Sequence, residues 1–116
     1  MFVIHESERE YRMGDSGPKY LMRGPRMNFA VMQLQAGQDF KAHYHQVMEE
    51  NFFVLEGEVD VVVDGTVHHL IPGHFLHIEP GEIHYIVNNT TSPLKMIAAL
   101  APYRDADKVD VENFLI

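Results

Sequence analysis

The sequence has no cysteine, few basic residues and no long apolar run, and each of these absences excludes a class of protein or site. Without cysteine there can be no disulfide framework, no thiolate metal site and no cysteine nucleophile. Only 9 basic residues oppose 17 acidic ones, which gives a net charge of -8 at pH 7. An acidic surface repels phosphate backbones, so we expect no nucleic-acid partner.

Apolar residues occur in short groups, and none of these groups approaches the length of a membrane span. The first nine residues contain acidic and basic side chains without an apolar run, which is unlike a signal peptide. We therefore expect a soluble cytoplasmic protein with no membrane contact. The 116 residues are enough for one domain with its own hydrophobic core.

Short strand-like segments separated by turn signals fill the chain from residue 27 to residue 102. Asp64-Gly65 lies between two alternating segments and is a strong hairpin signal. Many short strands with turns every eight to twelve residues predict an all-β sandwich or barrel. No window of this region has the periodicity of a helix.

The two ends of the chain differ from this central part. Glycine and proline recur in segment 1–26, which predicts an irregular amino-terminal segment. In the tail, 103–116, the part from Asp105 to Ile116 is the one place where a short C-terminal helix is expected. The predicted organisation is a single domain, 1–116, with its barrel over 27–102.

Three histidines and a glutamate have the chemistry of a metal site. In His43-Tyr44-His45 the two imidazoles share one face of a strand, because side chains two residues apart point the same way. A turn would bring Glu50 back beside them, and His84 can add a third imidazole. Three nitrogens and one carboxylate oxygen suit one divalent transition metal ion (Fe, Mn, Ni, Zn, Co or Cu), with positions left open for water or substrate.

Each of these residues also has a plainer interpretation when it is taken alone. A His-x-His pair is common on exposed strands, and His84 could be a half-buried edge histidine. Glu49 and Glu50 are neighbours, so only one of them can point inward. Alternation alone leaves both glutamates open as the fourth ligand.

Glycines frame the His-x-His pair at fixed distances. The order is Gly37, five residues, His43-Tyr44-His45, four residues, Glu50, six residues, Gly57. This spacing resembles the first motif of the cupin superfamily at every position. The count back from the last glycine of the motif selects Glu50 over Glu49 as the ligand that the resemblance implies.

A second motif surrounds the third histidine. The order is Gly73, five residues, Glu79-Pro80-Gly81, two residues, His84, three residues, Asn88. It resembles the second cupin motif, and the two motifs together cover residues 37–88. The family usually has proline at position 79, and we expect the glutamate of this chain to face solvent there.

The resemblance implies a jelly-roll β-barrel (a double-stranded β-helix, RmlC-like) of two antiparallel sheets. The metal would lie inside the barrel, with the ligands His43, His45, Glu50 and His84. Cupins usually form homodimers. If Glu50 faces inward, Phe53 and Leu55 face outward, where a partner subunit is expected to cover them.

Alternation also suggests which side chains line a substrate pocket. In the strand that begins at Asn28, it points Phe29, Val31 and Gln33 inward, and a buried amide such as that of Gln33 needs a polar partner. The substrate-pocket candidates are Gln33, Phe52, His77, Glu79 and Tyr85.

The function that these features favour is a metal-dependent enzyme acting on a small polar organic substrate. Within the resemblance, isomerase or epimerase, lyase and dioxygenase chemistry all use this ligand set, so the fold does not choose among them. The alternative is a non-catalytic module that binds a metal or a small ligand. The catalytic residues are unknown from the sequence.

Overall fold

A computed structural model describes residues 1–112, which form ten β-strands and one 3-10 turn at Glu6–Glu8. The strands are β1 Gly17–Arg23, β2 Asn28–Leu34, β3 Asp39–His45, β4 Glu49–Glu56, β5 Val59–Val63, β6 Thr66–Leu70, β7 Phe75–Ile78, β8 His84–Val87, β9 Leu94–Ala101 and β10 Lys108–Asp110. Within this range, no helix has the length and apolar character needed to cross a membrane.

The strands form two antiparallel sheets that face each other. The first sheet has the order β1-β2-β9-β4-β7, and the second has the order β10-β3-β8-β5-β6. Their inner faces enclose one apolar core, whose most deeply buried side chains include Leu34, Phe52, Val61, Ile86, Leu94 and Met96. The all-β jelly roll predicted from the sequence is confirmed.

The hairpin predicted at Asp64-Gly65 joins β5 to β6. Both residues have positive φ angles, 46° for Asp64 and 85° for Gly65, as the tight turn of a two-residue hairpin requires. The strands then pair in register from Val63 with Thr66 to Val59 with Leu70. Local turn chemistry is sufficient to explain this part of the second sheet.

The prediction of an irregular segment over 1–26 is wrong for residues 17–23, because they form β1 along the edge of β2. The residues before β1 cover the outer face of the first sheet. There Glu6 accepts hydrogen bonds from Lys19 (3.1 Å) and Lys95 (2.9 Å), and the Lys19 ammonium lies 4.3 Å from the ring centroid of Tyr11. Glycine and proline in this segment mark its turns and do not prevent a strand.

The C-terminal helix expected from Asp105 onward is also wrong within the described residues. Lys108–Asp110 forms β10, which pairs antiparallel with β3, and Val111 continues it with a hydrogen bond to the Ala42 carbonyl (3.0 Å). The edge of β3 offers unpaired backbone groups, and pairing satisfies them better than an isolated helix would. Residues 113–116 of the predicted helix lie outside the described part of the chain.

Asp107 fastens the C-terminal segment to the turn between β3 and β4. Its side chain is buried and accepts backbone hydrogen bonds from Val47 (3.0 and 3.1 Å) and Met48 (2.8 Å). Its backbone carbonyl also accepts a hydrogen bond, from the Gln46 N–H (3.1 Å). The turn that separates His45 from Glu50 is therefore held by a residue far away in sequence.

We expect Asp107→Ala to lower the free energy of unfolding by about 2–3 kcal/mol, because the buried N–H of Met48 and the part-buried N–H of Val47 lose a charged acceptor. Urea denaturation followed by circular dichroism measures this loss. Asp105→Ala is the matched control, since Asp105 is exposed in the same loop. Equal stability of the two variants would contradict the assigned role of Asp107.

Gly57 joins β4 to β5 at a place where the backbone approaches another segment. Its φ is 79°, and a Cβ built there would collide with the Pro93 carbonyl oxygen. Gly37 has almost the same φ, 80°, but a Cβ there meets nothing within 4 Å. Glycine is therefore needed at the two positions for different reasons. Gly37 allows the positive φ of a turn, whereas Gly57 allows both a positive φ and the close approach of Pro93.

Gly57→Ala is expected to destabilise the protein more than Gly37→Ala does. Each alanine would sit in the left-handed region at a cost of about 1–2 kcal/mol, and the collision at position 57 adds about 1–3 kcal/mol. Chemical denaturation of both variants gives the comparison. Similar losses at the two positions would mean that the contact with Pro93 relaxes freely.

Candidate metal centre

Two strands of the second sheet position the three histidines. His43 and His45 lie two residues apart on β3, and both are buried. His84 opens β8 and is the direct cross-strand partner of His43. The ring centroids are 4.3 Å apart for His43 and His84, 5.3 Å for His43 and His45, and 5.8 Å for His45 and His84. Strand alternation supplies the first two imidazoles, and strand pairing supplies the third.

The carboxylate of the cluster comes from the facing sheet. Glu50, on β4, is 7% exposed and points inward, whereas the Glu49 side chain is 43% exposed. Glu50 Oε1 lies 2.9 Å from His84 Nε2 and 3.5 Å from His45 Nε2. One ligand atom from each of the three histidines and Glu50 lies within 4.8 Å of all the others. The structure therefore brings together all four residues that the motifs select, with Glu50 and not Glu49 among them.

Backbone carbonyls fix the orientation of two imidazoles. His43 Nδ1–H donates to the Lys41 carbonyl (2.7 Å), and His84 Nδ1–H donates to the Glu82 carbonyl (3.0 Å). A carbonyl only accepts, so the proton of each neutral ring lies on Nδ1. Both Nε2 atoms then direct a lone pair at the cluster, which is the arrangement that metal-ligating histidines usually have.

Burial and mutual contact shift the pKa values of the cluster. Burial, together with the neighbouring His84, lowers the pKa of His43 to about 4. Burial raises the pKa of Glu50, but hydrogen bonds from His45 and His84 outweigh it and hold that pKa at about 2. For His84, burial acts to lower the pKa, and the hydrogen bond and charge of Glu50 outweigh it and raise the pKa. At neutral pH the cluster thus contains a carboxylate and a neutral His43.

These groups fit a bound cation. With its proton on Nδ1, a neutral His84 presents a lone pair to Glu50 Oε1 at 2.9 Å, so two acceptors face each other in a buried site. A proton or a metal ion between them removes that repulsion. Three imidazole nitrogens and one carboxylate oxygen are a donor set for divalent first-row transition metals. His45 is the least constrained member, because its buried Nδ1 has no hydrogen-bond partner in residues 1–112.

An open cavity leads from the surface to this cluster. The space inside it that water-sized molecules can occupy is about 70 Å³, enough for a few waters or a small ligand group. Beside His43, His45 and Glu50, its wall is mainly apolar, and the polar residues that join them are Arg12, Tyr20 and Lys108. The apolar part of the wall consists of Pro18, Ala30, Met32, Phe40, Ile86, Ala98 and Leu100.

The structure does not bring the five substrate-pocket candidates to this cavity. Phe52 faces inward as predicted but is fully buried in the core. Gln33 points outward, where its amide donates to the Asp15 carbonyl (3.0 Å). His77 and Glu79 contact each other on the exposed outer surface (2.8 Å), and Tyr85 donates to the Asp39 carboxylate on the outer face of the second sheet. The expected solvent exposure of Glu79 is confirmed, with its side chain 64% exposed.

Gln33 was predicted to face inward because the alternation along β2 was assigned to the wrong set of residues. Ala30, Met32 and Leu34 face inward, and Val31, predicted inward, faces the other way. Val31 is nevertheless only 5% exposed. Apolar residues on both faces of β2 obscure the two-residue period, so the sequence alone does not indicate which of its side chains face inward.

Sequence reasoning missed the polar wall of the cavity. Arg12 precedes β1, Tyr20 lies on β1, and Lys108 opens β10. The first two belong to the segment predicted as irregular, and the third belongs to the predicted helix. No local signal marks them, because only the pairing of β1 and β10 with the two sheets brings them to the cavity mouth.

Comparisons with known proteins agree with this architecture. Curated proteins give no significant match. A conserved protein with a double-stranded beta-helix domain from Klebsiella pneumoniae superposes with a TM-score of 0.82 at 21% identity, covering 97% of this chain and 99% of that one. An RmlC-like cupin from Shewanella frigidimarina gives 0.75 at 22% identity, covering 90% and 92%. The polyketide cyclase RemF from Streptomyces resistomycificus gives 0.83 at 19% identity, covering 100% and 87%.

At these identities the solved structures establish the fold alone. The family description "Cupin domain" matches residues 30–100, a span that includes both motifs and all four residues of the cluster. With this match, the two motifs and the jelly roll of two antiparallel sheets, the chain belongs to the cupin family.

Proposed function

We propose that this cupin binds one divalent transition metal ion through His43, His45, Glu50 and His84, and that it is a metal-dependent enzyme acting on a small polar organic molecule. The observation that carries the proposal is the position of the cluster, which lies at the inner end of an open cavity. A metal that only stabilised the fold would need no such access. When bound, the metal would supply Lewis-acid or redox chemistry to a carbonyl, enediol or carboxylate.

The side chains around the cluster would bind and orient the substrate. Most of the cavity wall is apolar, which would exclude water from a bound molecule and strengthen polar contacts inside. Tyr20 has the single hydroxyl group of the described lining, and it is the uncharged group placed to donate a hydrogen bond to a substrate. The proposal includes isomerase or epimerase, lyase and dioxygenase chemistry. The metal ion can be iron, manganese, cobalt, nickel, copper or zinc.

A non-catalytic metal- or ligand-binding module is the second candidate. One observation favours it: in the described lining, Glu50 is the only carboxylate, and it belongs to the cluster. A general acid or base separate from the ligands is therefore limited to Tyr20, Arg12 and Lys108. Turnover of a substrate by the metal-loaded protein would decide between the two candidates.

The first test measures metal content by inductively coupled plasma mass spectrometry. The protein is tag-free and has never been exposed to a nickel column. We expect about one equivalent of a first-row transition metal per chain. Iron would direct the assays to oxygen uptake with aromatic or diketone substrates, and zinc or manganese to sugar isomerisation and lyase reactions. Protein that holds no metal and takes none up on reconstitution would contradict the proposal.

The ligand assignment is tested by substitution. His43→Ala and His84→Ala are each expected to reduce metal content at least about tenfold, because each removes a ligand, while circular dichroism still shows a β-barrel. His68→Ala is the matched control, since His68 lies exposed on β6, away from the cavity. The assignment would be wrong if His68→Ala lost the metal and His43→Ala kept it.

We propose further that the protein is a cytoplasmic homodimer, with a second copy covering the outer face of β4 and β7. Phe53 and Leu55 are each 39% exposed there, as expected, and Phe75 is 62% exposed. Phe53 and Phe75 are direct cross-strand partners, so the three side chains make one apolar patch at the edge of the first sheet.

Sedimentation equilibrium tests the dimer. We expect Phe75→Asp to shift the protein towards the monomer, because a carboxylate would be buried without a partner in the interface. Val67→Asp is the control, since Val67 is similarly exposed (56%) but lies on the second sheet. A wild-type protein that stays monomeric at every concentration would contradict this arrangement.

A further inference from the structure

Positive charge gathers at the mouth of the cavity, although the whole chain has a net charge of -8. Arg12 and Lys108 line both the inner cavity and the cleft that continues it outward, and Arg23 and Arg104 line the outer cleft. The inner cavity and the outer cleft also share Tyr20, His45 and Leu100, so one continuous path leads from this rim to the metal centre.

The acidic residues near this path are largely engaged elsewhere. Glu50 belongs to the metal cluster, and the Asp107 carboxylate accepts the N–H groups of Val47 and Met48. Asp105 lines the outer cleft and is exposed. Asp110 forms an exposed ion pair with Lys108 at 3.5 Å. The positive charge of the rim is therefore only partly neutralised. Of its cations, Lys108 is the one with a paired carboxylate among the described residues, that of Asp110.

Arg12 is the best placed of these cations to meet a ligand. Its backbone N–H donates to the Pro18 carbonyl (3.0 Å), which fixes the segment before β1 against that strand. Its guanidinium carbon lies 5.9 Å from the ring centroid of Tyr20, and that of Arg23 lies 4.9 Å from the same ring. In residues 1–112 no carboxylate pairs with the Arg12 side chain. Its donors are therefore free to bind an anion.

We propose that the substrate of this site is a small carboxylate, whose carboxylate group binds Arg12 at the rim while a chelating group at its other end reaches the metal centre. This inference rests on the proposed function, because it needs the metal. The planar guanidinium offers two parallel N–H donors that match the two oxygens of a carboxylate. Lys108 adds a positive charge beside it, and the apolar wall accommodates the carbon chain between the two ends.

A carboxylate suits this site better than a phosphate group. Phosphate sites in proteins commonly use the backbone N–H groups of a helix N-terminus or a glycine-rich loop. The described residues contain no α-helix, and neither lining includes a glycine. The described lining of the inner cavity has one guanidinium group, that of Arg12, and one ammonium group, that of Lys108, and this pair matches a single carboxylate.

A matched pair of ligands tests the inference on the metal-loaded protein. L-α-hydroxyglutarate and L-α-hydroxyvalerate present the same α-hydroxy acid chelating group, and only the first has a distal carboxylate. Isothermal titration calorimetry should show that the wild type prefers L-α-hydroxyglutarate by roughly tenfold to a hundredfold, as expected for a charge-assisted contact. The preference should fall as salt increases, because the rim is open to solvent.

Arg12→Gln should abolish this preference and leave the affinity for L-α-hydroxyvalerate within about twofold of the wild type. Arg26→Gln is the matched control, because it removes the same charge from an exposed position outside both linings. A metal-loaded wild type without the preference, or an Arg12→Gln variant that keeps it, would overturn the inference and leave the proposed metal site intact. Metal content measured on the same samples separates the two failures: protein that binds no metal would overturn the proposed function and this inference together.

Discussion

The pairing of β3 with β8 and the closure of the two sheets on each other are the constraints on which the site depends. His43 and His84 are direct cross-strand partners in one sheet, and Glu50 approaches them from the other. A shift of one residue in either strand would turn its ligands to the outer face. The site is therefore not a property of one loop, and it exists only when the apolar core has closed.

Burial makes this cluster of polar side chains costly to desolvate. Four polar side chains lie at 7% exposure or less beside a core of aliphatic and aromatic residues. Without a cation, a charged carboxylate and several lone pairs share a small, desolvated volume in which they repel one another. The Lys41 and Glu82 carbonyls set the tautomers that leave Nε2 of His43 and His84 available. These features describe a site prepared for a cation more than an ordinary polar patch in a core.

The segments outside the central barrel build the rest of the site. β1 and the residues before it bring Arg12 and Tyr20 to the cavity, and β10 brings Lys108. Asp107, in the loop before β10, also fixes the turn between His45 and Glu50. The two motifs therefore account for the four residues of the cluster, and the terminal segments account for the polar part of the cavity wall. Because the terminal segments and not the motifs supply Arg12, Tyr20 and Lys108, the fold by itself leaves the substrate open.

The sequence by itself determined the class of fold, the hairpin at Asp64-Gly65 and the four residues that converge. The first two follow from short-range rules, namely two-residue alternation and turn chemistry, whereas the four residues follow from the resemblance of two motifs to those of a known family. Only the tertiary structure decided the strand at each end, the phase of β2 and the polar wall of the cavity. Val31 is buried on the outer face and Met32 on the inner one, so hydrophobicity could not distinguish the two faces of β2. β10 forms because β3 presents a free edge, and Arg12 reaches the cavity because β1 pairs with β2. Both strand pairings depend on the tertiary structure, and no local sequence pattern encodes them.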